Sequence, residues 1–264
     1  MSEQQGSVVA QKDGAIGWVI FNHVEKHNAV SLDMSAAVPG IIAGFDADPD
    51  VRVVVLKGAG ERSFIAGSNI STFDAVRTDA AQNEKYQALS QGSYDSVYHC
   101  GKPTIAMVRG YCIGGGMDYA ASCDIRICAS DAVFAIPAVK LGLGYGYQGQ
   151  IRLNRLIGSA QARDLYFTGR RYDAQDALRV GLVHEVVEPQ ALEARVREYA
   201  QGIAANAPLT LRALKRVFLE LERDPAARDM DAAHAMIAAC YASEDYQEGK
   251  AAFAEKRKPR FQGK

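Results

Sequence analysis

The sequence predicts an α/β chain in which β,β,α units repeat before a helical C-terminal section, and three observations carry that prediction. Val51-Arg52-Val53-Val54-Val55-Leu56-Lys57-Gly58 and Lys102-Pro103-Thr104-Ile105-Ala106-Met107-Val108 are strongly apolar runs, the first rich in β-branched residues, that read as buried strands. Each is followed by a glycine-containing turn able to lead into a helix. Strand-like composition last appears at Leu182 to Val187, and from Pro189 onward the patterns are helical.

Taken in order, Gly14 to Phe21 reads as a strand edge. Ser31 can cap a helix running to about Phe45, with apolar spacing at Leu32, Met34, Val38, Ile41, Ile42 and Phe45; Pro39-Gly40 is expected to kink or interrupt it. After the strand at 51–58, the same unit recurs as a strand at 102–108, a glycine-rich helix entry from Gly114 to Ala121 and a strand at Ile125 to Ala129. Helical patterns then cover Leu192 to Ala205, Pro208 to Glu222 and Ala233 to Lys256, with a capping pattern beginning at Ser243. Lys256-Arg257-Lys258-Pro259-Arg260 puts four cations at a helix end, where they can balance its dipole. No Gly/Ser or Pro-rich linker separates the two parts, so a tightly docked appendage is expected rather than a free domain.

Composition narrows the function classes. The 264 residues suit one large domain or a domain with an appendage. Lys plus Arg total 30 against 31 Asp plus Glu, so no charge surplus draws the chain to nucleic acid or an anionic membrane. Its longest apolar runs fall far short of the roughly 20 residues that span a bilayer, and no membrane span is expected. Met1 to Gly6 is polar, without the layout of a secretory signal, which points to a cytoplasmic protein. Cys100, Cys112, Cys123, Cys128 and Cys240 form no paired CxxC and are expected as reduced thiols. His23, His27, His99, His184 and His234 form no HExxH, no GxxxxGK[ST] exists, and no GxGxxG follows a strand with an acidic residue at the expected distance, so neither a metal nor a nucleotide loop is expected.

Two turns carry the chemistry: Phe64-Ile65-Ala66-Gly67-Ser68-Asn69-Ile70, and Gly110 to Asp118 with Gly114-Gly115-Gly116 inside it. A helix entry exposes unpaired backbone N–H groups. Brought face to face, two such turns would put two donors on one oxygen and stabilise negative charge developing on a carbonyl, as an oxyanion hole does. A tight turn or a close helix packing point is the other use of three consecutive glycines.

Asn22-His23-Val24-Glu25-Lys26-His27-Asn28-Ala29-Val30, the 64–70 turn, and Lys102 to Gly110 with Gly114-Gly115-Gly116 resemble, in order and spacing, the successive signatures of the crotonase superfamily, the enoyl-CoA hydratase/isomerase family. Cys123-Asp124-Ile125-Arg126, Leu156-Ile157-Gly158 and Ala177 to Val183 extend the resemblance over nearly the whole chain. It implies a crotonase-like spiral of repeated β,β,α units over residues 1–195 and a helical C-terminal trimerisation region over 196–264, giving a homotrimer or a dimer of trimers. It also implies an acyl-CoA substrate, with coenzyme A part of that substrate and no cofactor held permanently. The family's oxyanion donors map onto the N–H groups of Ser68 and Gly115, its coenzyme A contacts onto Ala66, Ser68, Asn69 and Ile70, and onto Lys26, Phe253 and Lys256. For those last three a solvated cation or a packed aromatic is the alternative use.

Family hydratases use two glutamates; their positions here hold Asp118 and Ala138. Asp118 is the remaining acid/base candidate, or else a first-turn residue favoured by the helix dipole. The loop Gly142-Leu143-Gly144-Tyr145-Gly146-Tyr147-Gln148-Gly149-Gln150 places two tyrosines near the acyl end, where Tyr145 can donate a proton or touch substrate, or both can only shape the pocket or fill an interface. Tyr145 and Ser243 to Phe253 resemble the methylmalonyl-CoA decarboxylase branch, in which loss of carbon dioxide forms the enolate without a base. The expected activity is hydration/dehydration or double-bond isomerisation of an enoyl-CoA; decarboxylation of a malonyl-type thioester and binding of acyl-CoA without turnover are the alternatives.

Overall fold

Between Val53 and Ala135, strands that follow one another along the chain alternate between two sheets, and this alternation builds the spiral. The structure is a computed structural model that describes residues 6–68 and 80–264. One six-stranded sheet runs in the order β1 (Ser7–Asp13), β2 (Ile16–Asn22), β3 (Val53–Gly58), β5 (Thr104–Val108), β7 (Ile125–Ala129), β10 (Glu185–Val187). A four-stranded sheet runs β4 (Ser63–Ile65), β6 (Tyr111–Ile113), β8 (Val133–Ala135), β9 (Tyr172–Asp173). Thus β3, β5 and β7 pair in parallel in the first sheet, while their successors β4, β6 and β8 pair in parallel in the second. The Gly14 to Phe21 strand is internal, because β1 covers its outer side as an antiparallel edge.

The apolar strand runs follow from burial on both faces. Val54, Leu56, Ala106, Val108 and Cys128 point into the main core, whereas Val53, Val55, Ile105, Met107 and Ile127 point to the opposite face. That face is covered by the helix Leu192–Ala204, which presents Leu192, Val196, Ala200 and Ala204 at every fourth residue. Each fully buried Val, Leu or Ile side chain contributes roughly 1.5–3 kcal/mol.

Nine α-helices are described: α1 (Leu32–Ala47), α2 (Ala80–Tyr98), α3 (Gly115–Ser122), α4 (Tyr147–Thr168), α5 (Ala174–Arg179), α6 (Leu192–Ala204), α7 (Pro208–Leu221), α8 (Met230–Ala242) and α9 (Glu244–Ala254). Ser31 caps α1 by accepting from the Met34 N–H at 3.2 Å. Pro39 does not interrupt α1: the missing hydrogen bond is outweighed by the burial of Met34, Val38, Ile42 and Phe45 on one side of the helix. The pattern from Ala233 to Lys256 is two helices rather than one. Ser243 breaks it in extended backbone and caps α9 through the Tyr246 N–H at 3.0 Å.

The expected border at 195/196 lies inside α6, the helix that covers the sheet. The later helices are tied to the sheet as well. Lys215 of α7, 7% exposed, donates to the Lys102 carbonyl at 2.9 Å and to Asp124 Oδ2 at 2.7 Å, and Asp124 also accepts from the Thr104 N–H and hydroxyl. Leu214, Phe218, Ile237, Tyr241 and Phe253 are exposed on α7, α8 and α9, several of them around an apolar cavity.

Candidate active site

The 27–30 segment holds the first glycine turn in place. Asn28, 1% exposed, accepts from the His23 N–H at 2.9 Å and donates to the carbonyls of Ala59 and Ser63 at 2.9 and 2.8 Å. Its neighbours then bind the turn directly: the Ala66 N–H donates to His27 O at 3.0 Å, and the Val30 N–H to Gly67 O at 2.9 Å. On the other side the Gly114 N–H donates to Ala135 O at 2.9 Å, which anchors the entry to α3.

These two turns meet. A Cβ on Gly114 would lie 4.0 Å from the Gly67 Cα, and one on Gly115 would lie 3.8 Å from Ser68 Oγ and 2.7 Å from the Tyr94 hydroxyl. On Gly116 a Cβ would strike the Ile65 carbonyl at 2.2 Å, so the glycines serve the close approach of the two chains. Ala66, Ser68 and Gly115 face one cavity of about 180 Å³, closed by α2, the Pro137–Leu141 turn and the loop before α4. Gly115 opens α3, whose first bonded N–H groups, those of Met117 and Asp118, donate to the Gly114 carbonyl at 2.8 and 3.3 Å, so the Gly115 N–H precedes the helical ladder.

One turn further along α3, Asp118 enters the same cavity and is 8% exposed. Burial pushes its carboxyl from an ordinary 3.8 up to about 7, against the opposing pull of the Tyr145 hydroxyl and the more distant Arg152 guanidinium. The Tyr145 hydroxyl lies 2.5 Å from Asp118 Oδ2 and 3.1 Å from the Gly114 carbonyl, and burial lifts its own pKa well above the ordinary value. Behind the acid, buried Arg152 donates to Asp95 and, at 3.2 Å, to Ser122 Oγ; Gln91 Nε2 donates to the same Asp95 oxygen at 2.8 Å. Ala138, with Pro137, Leu141 and Leu143, gives the cavity an apolar wall.

Ala66, Ser68, Gly115, Asp118 and Tyr145 are therefore brought together, while Asn69 and Ile70 lie outside the described residues. Lys26, in the turn Val24–Lys26, Phe253 on α9 and Lys256 beyond it do not line the cavity of a single chain. Phe253 is 88% exposed and borders the C-terminal apolar cavity instead. Of the cations at the end of α9, Arg257 is engaged by Glu248 and Glu255. Sequence reasoning gave Gln91, Tyr94, Gly149 and Arg152 no role in the site, although Gly149 falls in the tyrosine loop and Arg152 in a segment that resembles the family. For the first two the available signal is spacing: Gln87, Ser90, Gln91 and Tyr94 fall at i, i+3, i+4 and i+7 on α2 and share the cavity. Among the described residues no group of three or more His, Cys, Asp or Glu could hold a metal ion, and no helix is long and apolar enough to cross a membrane.

The comparisons with known proteins agree with one another. The family model for enoyl-CoA hydratase/isomerase matches residues 11–264. The short-chain-enoyl-CoA hydratase of Clostridium acetobutylicum is 36% identical, covering 96% of each chain. The crotonyl-CoA hydratase of Syntrophomonas wolfei is 32% identical, covering 97% of each. A solved enoyl-CoA hydratase/carnithine racemase from Magnetospirillum magneticum superposes with a TM-score of 0.92 at 34% identity, covering 99% of this chain and 97% of that one. With the alternating two-sheet spiral and the facing glycine turns, these matches place the chain in the enoyl-CoA hydratase/isomerase family of the crotonase superfamily.

Proposed function

We propose that the chain is a lyase that adds water reversibly across the double bond of an enoyl-CoA thioester, with Asp118 as its proton-transferring group. The observation that carries this reading is a buried carboxyl poised near neutrality, one helical turn from Gly115. In the proposed reaction the Ser68 and Gly115 N–H groups donate to the thioester oxygen and stabilise the enolate. Water attacks the β-carbon and gives a proton to the Asp118 carboxylate, which passes it to the α-carbon. The sum is one water added, and a single acid suffices.

Tyr145 acts as a positioning residue in this reading. While Asp118 is ionised, the Tyr145 hydroxyl donates to Oδ2; once Asp118 is protonated, the same hydroxyl accepts from the acid and donates to the Gly114 carbonyl. The carboxyl thus keeps a partner in both states.

Ala138 favours a second reading, migration of the double bond, because one carboxylate can both remove and return a proton and needs no second acid. Incubation of the purified protein with crotonyl-CoA, a 3-enoyl-CoA and methylmalonyl-CoA separates the possibilities. Consumption of the first supports hydration, conversion of the second to a 2-enoyl ester supports isomerisation, and carbon dioxide from the third supports decarboxylation. Binding without turnover of any would mark a non-catalytic relative. Asp118→Ala should lower the rate on the order of a hundredfold or more; an unchanged rate would remove Asp118 from the mechanism.

The proposal includes a homotrimer or a dimer of trimers. The exposed Leu214, Phe218, Ile237, Tyr241 and Phe253 support association of the C-terminal helices. In such an assembly Phe253 and Lys256 would meet coenzyme A only across a subunit boundary. Light scattering reads the state directly.

A further inference from the structure

We infer that the preferred acyl chain carries a hydroxyl beyond the β-carbon and that Gln91 Oε1 accepts its hydrogen bond; this rests on the acyl-CoA reading above. The cavity is two-sided. Against the apolar wall of Pro137, Ala138, Leu141 and Leu143 stands a polar one, where α2 presents Gln87, Ser90, Gln91 and Tyr94. A plain alkyl chain laid along that wall displaces water from amides and hydroxyls and offers nothing in return.

The orientation of Gln91 is what selects a donor. Its Nε2 donates to Asp95 Oδ1 at 2.8 Å, and Asp95 is the ion-pair partner of Arg152. A carboxylate in that role only accepts, so the amide nitrogen must face Asp95 and the amide oxygen must face away. Oε1 accordingly points to Gly146, 3.9 Å from where a Cβ on that glycine would stand, and Gly144 and Gly146 have no side chains to occupy the space beside it. The group that meets Oε1 must therefore be a donor. It is also not anionic: among the described residues lining the cavity there is no lysine, arginine or histidine to pair a carboxylate on the acyl chain.

The test uses two thioesters of matched shape, 4-hydroxybut-2-enoyl-CoA and pent-2-enoyl-CoA, in which a hydroxyl replaces a methyl group. The inference expects kcat/KM for the hydroxylated ester to exceed that for its apolar match by about tenfold, and Gln91→Met to bring the ratio close to one. If neither ester turns over, calorimetric Kd values give the same ratio. Equal or reversed preference in the wild-type protein, or an unchanged ratio in the variant, overturns this inference while leaving the acyl-CoA reading intact. Absence of both turnover and binding for the two esters overturns both.

Discussion

Gly149 lies so close to Asp118 that a Cβ on it would stand 2.2 Å from Oδ1. The packing of α4 against α3 thus sets where the carboxyl can be. In Gly149→Ala the mobile end of Asp118 must give way, since the added methyl is fixed to a helix. A displacement of about 1 Å costs on the order of a hundredfold in rate. Alanine is also the better helix former by about 1 kcal/mol, so kcat should fall steeply while the melting temperature changes little. A fully active Gly149→Ala would show that the position of Asp118 is not critical.

The pH profile should report Asp118. If its carboxylate is the base, kcat/KM rises with pH through about 7, the value to which burial lifts the group. The Tyr145 hydroxyl, by donating to the carboxylate, holds that value down. Tyr145→Phe should therefore move the midpoint upward as well as lower the rate; a downward shift would contradict the hydrogen-bond assignment.

Asp118 should also be a burden on stability. Between an ordinary 3.8 and about 7 the folded protein holds a proton that the unfolded chain has released. The contribution of this group is fully present below that window and is lost as pH rises through it. Asp118→Asn should raise the melting temperature at pH 8 and lose this advantage near pH 4, with a ceiling of about 4 kcal/mol. Matched melting curves across pH check the sign.

Asn28 should be among the costlier residues to truncate. Asn28→Ala removes three hydrogen bonds and leaves one N–H and two carbonyls without that partner, at a position whose φ of +57° alanine adopts poorly. A loss of roughly 3 kcal/mol or more is expected, a fall of roughly 6 to 12 °C in melting temperature. Because His27 and Val30 hold the Ala66–Ser68 turn, kcat should fall before the protein melts.

The spiral was legible where burial writes plainly into sequence. Strands β3 and β5 are covered on both faces and read as unbroken apolar runs. The second sheet was not legible, since β4, β6 and β8 are three residues each and show no period. Helix α4 was hidden for another reason: Gly158, at φ +75°, departs from helical geometry inside it, and no continuous apolar stripe marks its length. At the site, the glycine turns and Asp118 could be named in advance because local spacing and family resemblance point to them. The Asp118 to Tyr145 contact could not, because it joins residues 27 apart through tertiary packing alone. Gln91 and Tyr94 sit on a helix whose polar composition reads as an ordinary solvated surface.

The second contact of Tyr145 has a consequence beyond positioning. The carbonyl it reaches, that of Gly114, and the N–H of Gly115 belong to one amide, conjugated through a single C–N bond. A donor at the oxygen end draws electron density along that bond and makes the hydrogen at the other end more positive. On the proposed mechanism, the proton that arrives on Asp118 releases the Tyr145 hydroxyl to Gly114, and the Gly115 donor sharpens at the moment the enolate carries its greatest charge. Acid and anion site then behave as two ends of one polarisable relay.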